Sequence, residues 1–241
     1  MGKSAMRPMK LLLTLVSKDQ GDMSLARQTL VSNPISDPVD PFPRLCQASI
    51  MMGKVLGHHY GEKIPSDTAK FSLANQLYID ISILARKLKE EADNAHDYLS
   101  LTTALSLTYS TLCVLCEEYS CPDPTGCNTV STETADMQTK AIDGIKTVSA
   151  SIVDFAERIN AATHDPRDLD RLSPMIMDSV YAAAANFAWL VRETGDESYQ
   201  MALDSLRHCL RRFGTRWRNA GEYLRILEAK EFTYAVGSAA T

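Results

Sequence analysis

The stretch LSPMIMDSVYAAAANFAWLVRETG, residues 172–195, places apolar side chains around most of the circumference of a helix running from residue 174 to 194. Such a helix leaves no broad polar face for water, so it belongs in the centre of a bundle. The four consecutive alanines from Ala182 to Ala185 allow neighbouring helices to come close. Gly195 is a typical residue for the end of a helix. The sequence therefore predicts a buried central helix at 174–194.

Three residues at the front of this stretch are typical of a helix start. Ser173 can cap the first turn, and Pro174 has the backbone angle that the first turn requires. Leu172, just before the cap, can pack against Met177 one turn later. These signals place the beginning of the central helix at residue 174.

Five further segments show apolar residues at helical spacing, while the alternation typical of strands is scarce. Gly61 ends the first of these helices, Ser66 or Thr68 can cap the second, and Asp93 or Asn94 can cap the third. We therefore expect an all-α fold, a single bundle of about six helices with long antiparallel helices and a buried central helix. The five segments are residues 44–60, 69–92, 95–119, 133–163 and 199–227.

The last of these segments contains a run of six arginines within residues 207–229. Apolar residues recur there at alternating steps of four and three and continue through Gly214, which predicts one long helix, kinked at that glycine. This apolar seam consists of Tyr199, Leu203, Leu206, Leu210, Phe213, Trp217, Ala220, Leu224 and Leu227. The arginines, at positions 207, 211, 212, 216, 218 and 225, all lie off the seam.

The favoured interpretation of the arginine run is a solvated polar face whose side-chain stems cover apolar surface. A partner-binding face is the first alternative and direct DNA contact is the second. The formal net charge of −5 argues against DNA contact, because nucleic-acid binders carry a positive electrostatic footprint. Trp217, on the seam, is expected to be a large buried aromatic residue.

Composition divides the 241 residues into three parts. Residues 1–43 form an N-terminal segment with a proline-rich linker, 44–232 the helical domain and 233–241 a C-terminal tail. The apolar run at residues 11–16 is too short for a typical secretory signal, and Met6 stands where a myristoylation motif requires Ser or Thr. No segment approaches the ~20 apolar residues of a membrane span, so no membrane partner is expected.

Four of the six cysteines, Cys113, Cys116, Cys121 and Cys127, raise the possibility of a zinc site. Zinc requires four converging thiolate or imidazole ligands. The first two of these cysteines lie in an apolar helical pattern, and no second Cys-x-x-Cys pair follows. Buried reduced thiols and two loop cysteines are therefore favoured, and no metal is expected.

Two other groups of residues were considered as metal or catalytic sites. His58 and His59 are adjacent and close to Glu62, but neighbouring positions of a helix point about 100° apart, so both rings cannot face one metal. Asp93-x-x-His96 is the nearest approach to a di-iron Glu-x-x-His motif, but it has the wrong acid and no second copy. The chain contains no glycine-rich dinucleotide or phosphate loop and no nucleophile elbow. No catalytic residue, cofactor or enzymatic activity is therefore predicted.

The C-terminal third resembles the end of the regulatory domain of fungal zinc-cluster transcription factors. The resemblance is clear over about 170–230 and extends back to about 42. It consists of a Ser-Pro, a Tyr-x-Ala-Ala core helix, an Arg-Trp-Arg segment and a Tyr-Leu-x-x-Leu ending. The residues that carry it are Ser173, Pro174, Tyr181, Ala183, Ala184, Arg216, Trp217, Arg218, Tyr223, Leu224 and Leu227.

The six-cysteine DNA-binding cluster of that family has no counterpart here, so direct DNA binding is not expected. The resemblance implies a non-enzymatic regulatory domain that acts in the nucleus through protein contacts, by self-association or by pairing with related transcription factors. The chain would be either a truncated member or a standalone modulator. Two alternatives stay open: a small-effector-binding helical domain with its pocket beside the 174–194 helix, or a helical scaffold unrelated to transcription. For such a scaffold the cytoplasm is the alternative location.

Overall fold

The structure, a computed structural model, describes residues 40–61, 66–121 and 132–238, together with the short strands at 12–13 and 29–30. Side chains are described up to residue 231. The predictions about a secretory signal or lipid attachment at the N-terminus therefore lie outside the described residues. The same is true of Glu62 and of Cys127.

The described chain is almost entirely helical, which confirms the prediction of an all-α bundle. The strands β1 (Leu12–Leu13) and β2 (Thr29–Leu30) form a short antiparallel pair. Two 3₁₀ turns, Tyr98–Leu101 and Pro166–Arg171, lie between helices. The seven helices are α1 (Pro41–Tyr60), α2 (Asp67–Asn94), α3 (Thr102–Ser120), α4 (Thr132–Ala162), α5 (Ile176–Thr194), α6 (Glu197–Gly214) and α7 (Arg218–Ser238).

Side-chain contacts fix the direction of the long helices. Lys70 at the start of α2 forms an ion pair with Glu118 at the end of α3, so these consecutive helices run antiparallel, as predicted. Helices α2 and α4 run parallel on either side of α3. Three side-chain pairs, each 65 positions apart, join them: Thr68 with Glu133, Lys89 with Asp154, and Asp93 with Arg158.

Two helices, rather than one, occupy the centre of the bundle. Helix α5 packs on α3, α4, α6 and α7, as expected for the 174–194 segment. Helix α3 is equally central, since it packs on α1, α2, α4 and α5. The prediction assigned the central position to α5 alone, because its alanines and aromatic residues are conspicuous. The threonines and serines of α3 look like surface residues in the sequence, yet Thr102, Ser106, Thr108 and Thr111 are fully buried.

The four fully buried hydroxyl groups of α3 all form hydrogen bonds. Thr108 and Thr111 each donate to the carbonyl oxygen four residues earlier, at 2.8 and 2.7 Å. Ser106 and Ser179 of α5 share a hydrogen bond of 2.8 Å. A buried hydroxyl without such a partner would cost on the order of 1–3 kcal/mol. These bonds make a polar helix acceptable in the core.

The segment Tyr98–Ser120 corrects the prediction that no part of the chain approaches a membrane span. Its length and mean hydropathy of 1.5 are sufficient by composition to cross a membrane. In this fold 72% of its apolar 18-residue stretch is buried inside the bundle, as is typical of the core helix of a compact domain.

The prediction of one long C-terminal helix is wrong. Helix α6 ends at Gly214, and α7 begins at Arg218. The hydroxyl of Thr215 donates to the Arg212 carbonyl at 2.7 Å, so it competes with the helical backbone for that acceptor. An added Cβ at Gly214 would lie 3.9 Å from the Gly221 nitrogen. These residues would lie about 10 Å apart along an unbroken helix. The chain therefore turns back sharply at residues 215–217.

Several helix boundaries also differ from the sequence prediction. Helix α1 begins at Pro41 inside the predicted linker, because proline suits the first turn, and α7 continues to Ser238 inside the predicted tail. Asp93 and Asn94 belong to α2 rather than capping the third helix. Asp97 caps the 3₁₀ turn that precedes α3, where its carboxylate accepts from the Leu99 nitrogen, and α3 itself has no side-chain cap.

Other boundary signals are confirmed or nearly so. The Ser66 hydroxyl caps α2, Gly61 ends α1, and Gly195 ends α5 with φ of 67°, a conformation that favours glycine. Ser173 accepts a hydrogen bond from the Met175 nitrogen in a tight turn just before α5. Leu172 and Met177, the expected contact at this start, are both buried in the core.

Candidate functional site

A cleft of about 230 Å³ opens between the parallel helices α2 and α4, with α3 as its floor. Along the bundle it lies between the Thr68–Glu133 hydrogen bond and the Lys89–Asp154 ion pair that join α2 to α4. The prediction placed a pocket beside the 174–194 helix, whereas this cleft is formed by other helices. Its lining residues are Ala74, Asn75, Tyr78, Leu115, Cys116, Met137, Lys140, Ala141, Asp143, Gly144 and Thr147.

Gly144 lies at the point of closest packing in the wall of this cleft. A Cβ added to Gly144 would meet the Cys116 Sγ at 2.7 Å and the Tyr78 ring at 3.2 Å. Any larger residue would therefore push into the floor of the cleft or displace the Tyr78 ring. The glycine costs helical stability in the middle of α4, on the order of 0.5–1 kcal/mol relative to alanine. Close approach of α2, α3 and α4 at this position offsets that cost.

The cleft has an apolar interior and a polar rim. Ala74, Leu115 and Ala141 line the interior, while the exposed side chains of Lys140 and Asp143 stand at the rim. This arrangement suits a small molecule with an apolar body and a polar end, because the body is removed from water while the polar end stays hydrated.

The titratable groups of the cleft do not resemble a nucleophile and its base. Burial, with a smaller contribution from Glu117, raises the pKa of the Cys116 thiol to about 12. Burial also raises the pKa of Tyr78. A protonated thiol is a poor nucleophile.

His58 and His59 lie at the end of α1, where their rings are 5.6 Å apart and tilted. His58 Nε2 and the Tyr119 hydroxyl share a hydrogen bond. Burial lowers the pKa of both histidines, and His59 and Lys70 lower that of His58 further. Burial raises the pKa of Tyr119, and the tautomer of His58 sets which of the two groups donates. Within the described residues His58 Nδ1 is buried without a hydrogen-bond partner.

The cysteines and the Asp93–His96 pair that were candidate metal ligands lie in different environments. Cys113 and Cys116 are buried in α3 as expected, whereas Cys121 is exposed at its end. In the described part of the chain, no three His, Cys, Asp or Glu side chains converge as a metal site. Because Cys127 lies outside that part, the absence of zinc stays a prediction. Asp93 forms an ion pair with Arg158, and His96 is exposed.

The predicted arginine face is largely neutralised by neighbouring acids. Arg207 forms ion pairs with Asp204 and Glu231, and Arg216 with Asp170. Arg218 and Arg225 both face Glu222. Arg212 donates instead to the backbone carbonyl of Asn160, near the end of α4. This surface is therefore a set of ion pairs and a helix-end contact, with Arg211 exposed beside them.

Two of the residues that carry the family resemblance, Tyr181 and Tyr223, meet at the α5–α7 contact. The rings of Tyr181 and Tyr223 stack with their centroids 4.7 Å apart. The Tyr223 hydroxyl donates to Asp178, and this hydrogen bond, together with burial, raises the pKa of Tyr223 to about 12. Leu227 is fully buried, while Trp217 is only half-buried and meets the Phe213 ring edge-on. Trp217 therefore does not have the deep burial that its seam position predicted.

Sequence reasoning missed the polar contact made by Arg44. This residue lies in α1 with its side chain fully buried, and its Nε and Nη2 donate to the two Glu91 oxygens at 2.8 and 2.6 Å. Its Nη1 donates to Gln47 Oε1 at 2.7 Å. The one signal available was that Arg44 and Gln47 lie on the same face of α1 as the apolar Ala48, Met51 and Val55.

Comparisons with known proteins give no match for this chain, whether with protein-family models, with curated proteins or with solved structures.

Proposed function

We propose that this chain is a non-enzymatic regulatory module of the type found in fungal zinc-cluster transcription factors, acting in the nucleus through protein contacts. The observation that carries the proposal is the α5–α7 contact. Residues that are distant in sequence but belong to the resemblance, such as Tyr181 and Tyr223, stack on each other there. This stacked pair supports the proposal, because the resemblance consists mainly of packing residues.

The proposal assigns DNA binding to another polypeptide or domain. Most of the arginines between positions 207 and 225 face acidic side chains. Few of them are therefore free to neutralise phosphates, and the formal net charge of the chain is −5. In a gel-shift titration at two salt concentrations, we expect only weak binding to duplex DNA.

A reporter assay tests the regulatory proposal. The chain is inserted between a heterologous DNA-binding domain and an activation domain, and reporter expression is compared with that of the fusion lacking it. We expect a several-fold change in expression. The adjacent positions Leu210 and Arg211 provide matched variants, because Leu210 is fully buried and Arg211 is exposed. Leu210→Asp should abolish the effect and Arg211→Ala should retain it.

Two outcomes of this assay would contradict the proposal. Unchanged expression with a folded insert would remove the regulatory role, and a full effect from Leu210→Asp would show that any inserted polypeptide suffices. The nuclear location is tested separately with a fluorescent fusion too large to diffuse through nuclear pores. Uniform exclusion of that fusion from nuclei would contradict it.

The α2–α3–α4 cleft favours a second candidate function, binding of a small effector. Its apolar interior and its rim with Lys140 and Asp143 suit a compact ligand with one polar end. A thermal-shift screen of small aromatic and short aliphatic acids and alcohols tests it. We expect a ligand to raise the Tm of the wild type and of Gly53→Ala, whose added Cβ has open space. Gly144→Ala, whose added Cβ displaces the Cys116 or Tyr78 side chain that lines the cleft, should lose the shift. A ligand that stabilises all three proteins equally binds elsewhere.

A further inference from the structure

Helix α1 presents an exposed stripe that has no covering element among the described residues. The stripe consists of Phe42, Ser49, Gly53, Leu56 and Tyr60. At 100° per residue these five positions fall within an arc of about 60° on the helix surface. Phe42, Leu56 and Tyr60 are 60%, 43% and 82% exposed. The opposite face of α1, with Ala48, Met51 and Val55, is buried in the bundle.

The stripe contains no charged side chain. Helix α1 has no acidic residue, and its exposed Lys54 lies about 100° away from Gly53, on the flank of the stripe. Three of the eight exposed large apolar side chains of the described chain lie on this one face. A solvated helix face normally carries charged residues, so an uncharged face with three large apolar side chains is typical of a contact surface.

Two glycines of α1 lack an explanation inside the bundle. A Cβ added at Gly53 or at Gly57 would meet no atom within 4 Å. Glycine lowers the stability of a helix relative to almost any other residue, so its presence needs a physical reason. At Gly144 the reason is the close approach of α2 and α3. At Gly53 and Gly57, close approach of a helix from outside would supply the same reason.

We propose that the α1 stripe is a self-association surface on which α1 of a second copy of this chain lies antiparallel. A two-fold axis that crosses the stripe at the level of residue 51 along α1 would place Phe42 of each copy opposite Tyr60 of the other. The same axis brings Ser49 opposite Gly53, so the two backbones approach at small residues while aromatic rings cover both ends. The pattern is thus self-complementary, as a two-fold interface requires. The absence of charge on the stripe removes like-charge repulsion between identical surfaces.

The size of the stripe sets the strength of the association. Twenty helical residues span about 30 Å, and a helix contact about 10 Å wide covers roughly 300 Å² on each copy. A stable protein–protein interface buries about 800 Å² on each partner. The α1 pair is therefore a weak, concentration-dependent dimer contact. This inference does not depend on the transcriptional role.

Sedimentation velocity of the full chain over a range from about 5 to 500 μM tests the proposal. We expect reversible dimer formation in the upper part of that range. Tyr60→Lys should raise the Kd at least tenfold. Met201→Lys is the matched control, because Met201 is similarly exposed, at 73%, but lies on α6. This control should leave the Kd unchanged.

The variant Gly53→Gln separates a contact between copies from a structural role. Glutamine favours the helix and has room in the monomer, so the Tm at low protein concentration should rise. Its side chain blocks the approach of a second α1, so the dimer Kd should increase at least tenfold. A chain that stays monomeric at all concentrations would overturn the proposal. So would a dimer that is indifferent to both Tyr60→Lys and Gly53→Gln.

Discussion

Arg44 is the largest fully buried side chain in the described core. Its guanidinium meets the Glu91 carboxylate through two nearly parallel hydrogen bonds, the geometry in which arginine binds carboxylates best. The pair ties α1 to α2 near the end of the bundle at which α1 begins. A buried ion pair of this kind specifies how two helices align, even where apolar residues would give similar stability.

Removal of the Glu91 carboxylate is expected to be costly. Glu91→Ala should lower the free energy of unfolding by about 3–5 kcal/mol, because a buried guanidinium loses the acceptor of two hydrogen bonds. The double variant Arg44→Met with Glu91→Leu should lose less unfolding free energy than Glu91→Ala alone. Urea unfolding measures both, with Glu90→Ala at an exposed neighbouring position as a control within about 0.5 kcal/mol. A larger loss in the double variant would contradict this account of the pair.

The buried histidines at the end of α1 make stability dependent on pH. The folded state lowers the pKa of His58 and His59 below the ordinary value of 6.5, chiefly through burial. The contribution of the neutral histidines to the free energy of unfolding is therefore complete above pH 6.5. As the pH falls below that value, the unfolded chain takes up protons that the folded chain resists, and stability is lost. The free energy of unfolding should decline from pH 7.5 to 5.5, and more shallowly in His58→Gln. Equal slopes would rule out His58 as a cause.

For single residues, the sequence predicts which side chains are buried better than it predicts which residues they contact. The apolar spacing correctly buries Cys113, Cys116 and the inner residues of α6. It does not reveal that Arg44 lies inside, because a charged residue is normally assigned to the surface. Nor can it reveal that Gly144 packs tightly beside a cleft, since that contact depends on Cys116 and Tyr78 of two other helices. Such contacts arise only when distant segments meet.

Among the helices, the break between α6 and α7 shows where periodicity stops being informative. The apolar seam continues in phase across the turn, since both Phe213 before it and Ala220 after it are fully buried. The spacing of apolar residues indicates which residues face the core. Two successive helices that pack on the same core can therefore show one uninterrupted apolar spacing. The evidence for a break was local: Gly214 followed by Thr215, whose hydroxyl takes the Arg212 carbonyl.

The break changes what the two aromatic residues of this turn contribute. Phe213→Ala should cost about 3–5 kcal/mol of unfolding free energy, because the ring is fully buried. Trp217 is half-buried at the turn, so Trp217→Ala should cost only about 1–2 kcal/mol. Urea unfolding of the two variants under identical conditions provides the comparison. Equal losses would mean that α6 and α7 behave as the continuous helix that the seam predicts.

The neighbouring arginines should also differ from each other. Arg211 is exposed, so Arg211→Ala is expected to stay within about 0.5 kcal/mol of the wild type. Arg212 donates to the Asn160 carbonyl near the end of α4, so Arg212→Ala should cost about 1–2 kcal/mol. The measurement is again urea unfolding. An Arg212→Ala protein as stable as Arg211→Ala would show that this helix-end contact contributes nothing.

The described chain forms one bundle because its two central helices pack on each other. Helix α3 joins α1 and α2 to the core, α5 joins α6 and α7, and α4 contacts both α3 and α5. We therefore expect one cooperative unfolding transition. Far-ultraviolet circular dichroism, dominated by helix signal, should coincide with the fluorescence of Trp189 and Trp217, which both report on the α5–α7 side. Separate midpoints would divide residues 44–232 into two folding units.

The order in which the chain is synthesised gives the burial of α3 a further consequence. After Ser120 leaves the ribosome, about 65 more residues must emerge before Asn186, which hydrogen-bonds across the core to Ser149 of α4, also leaves it. At about 5–20 residues per second that interval lasts roughly 3–13 s. At the beginning of that interval, a helix apolar enough to be mistaken for a membrane span lacks α4 and α5, and it lacks α5 until the end. The nascent polypeptide is therefore a natural client for chaperones, and a message truncated before α5 would yield an aggregating product rather than a smaller functional one.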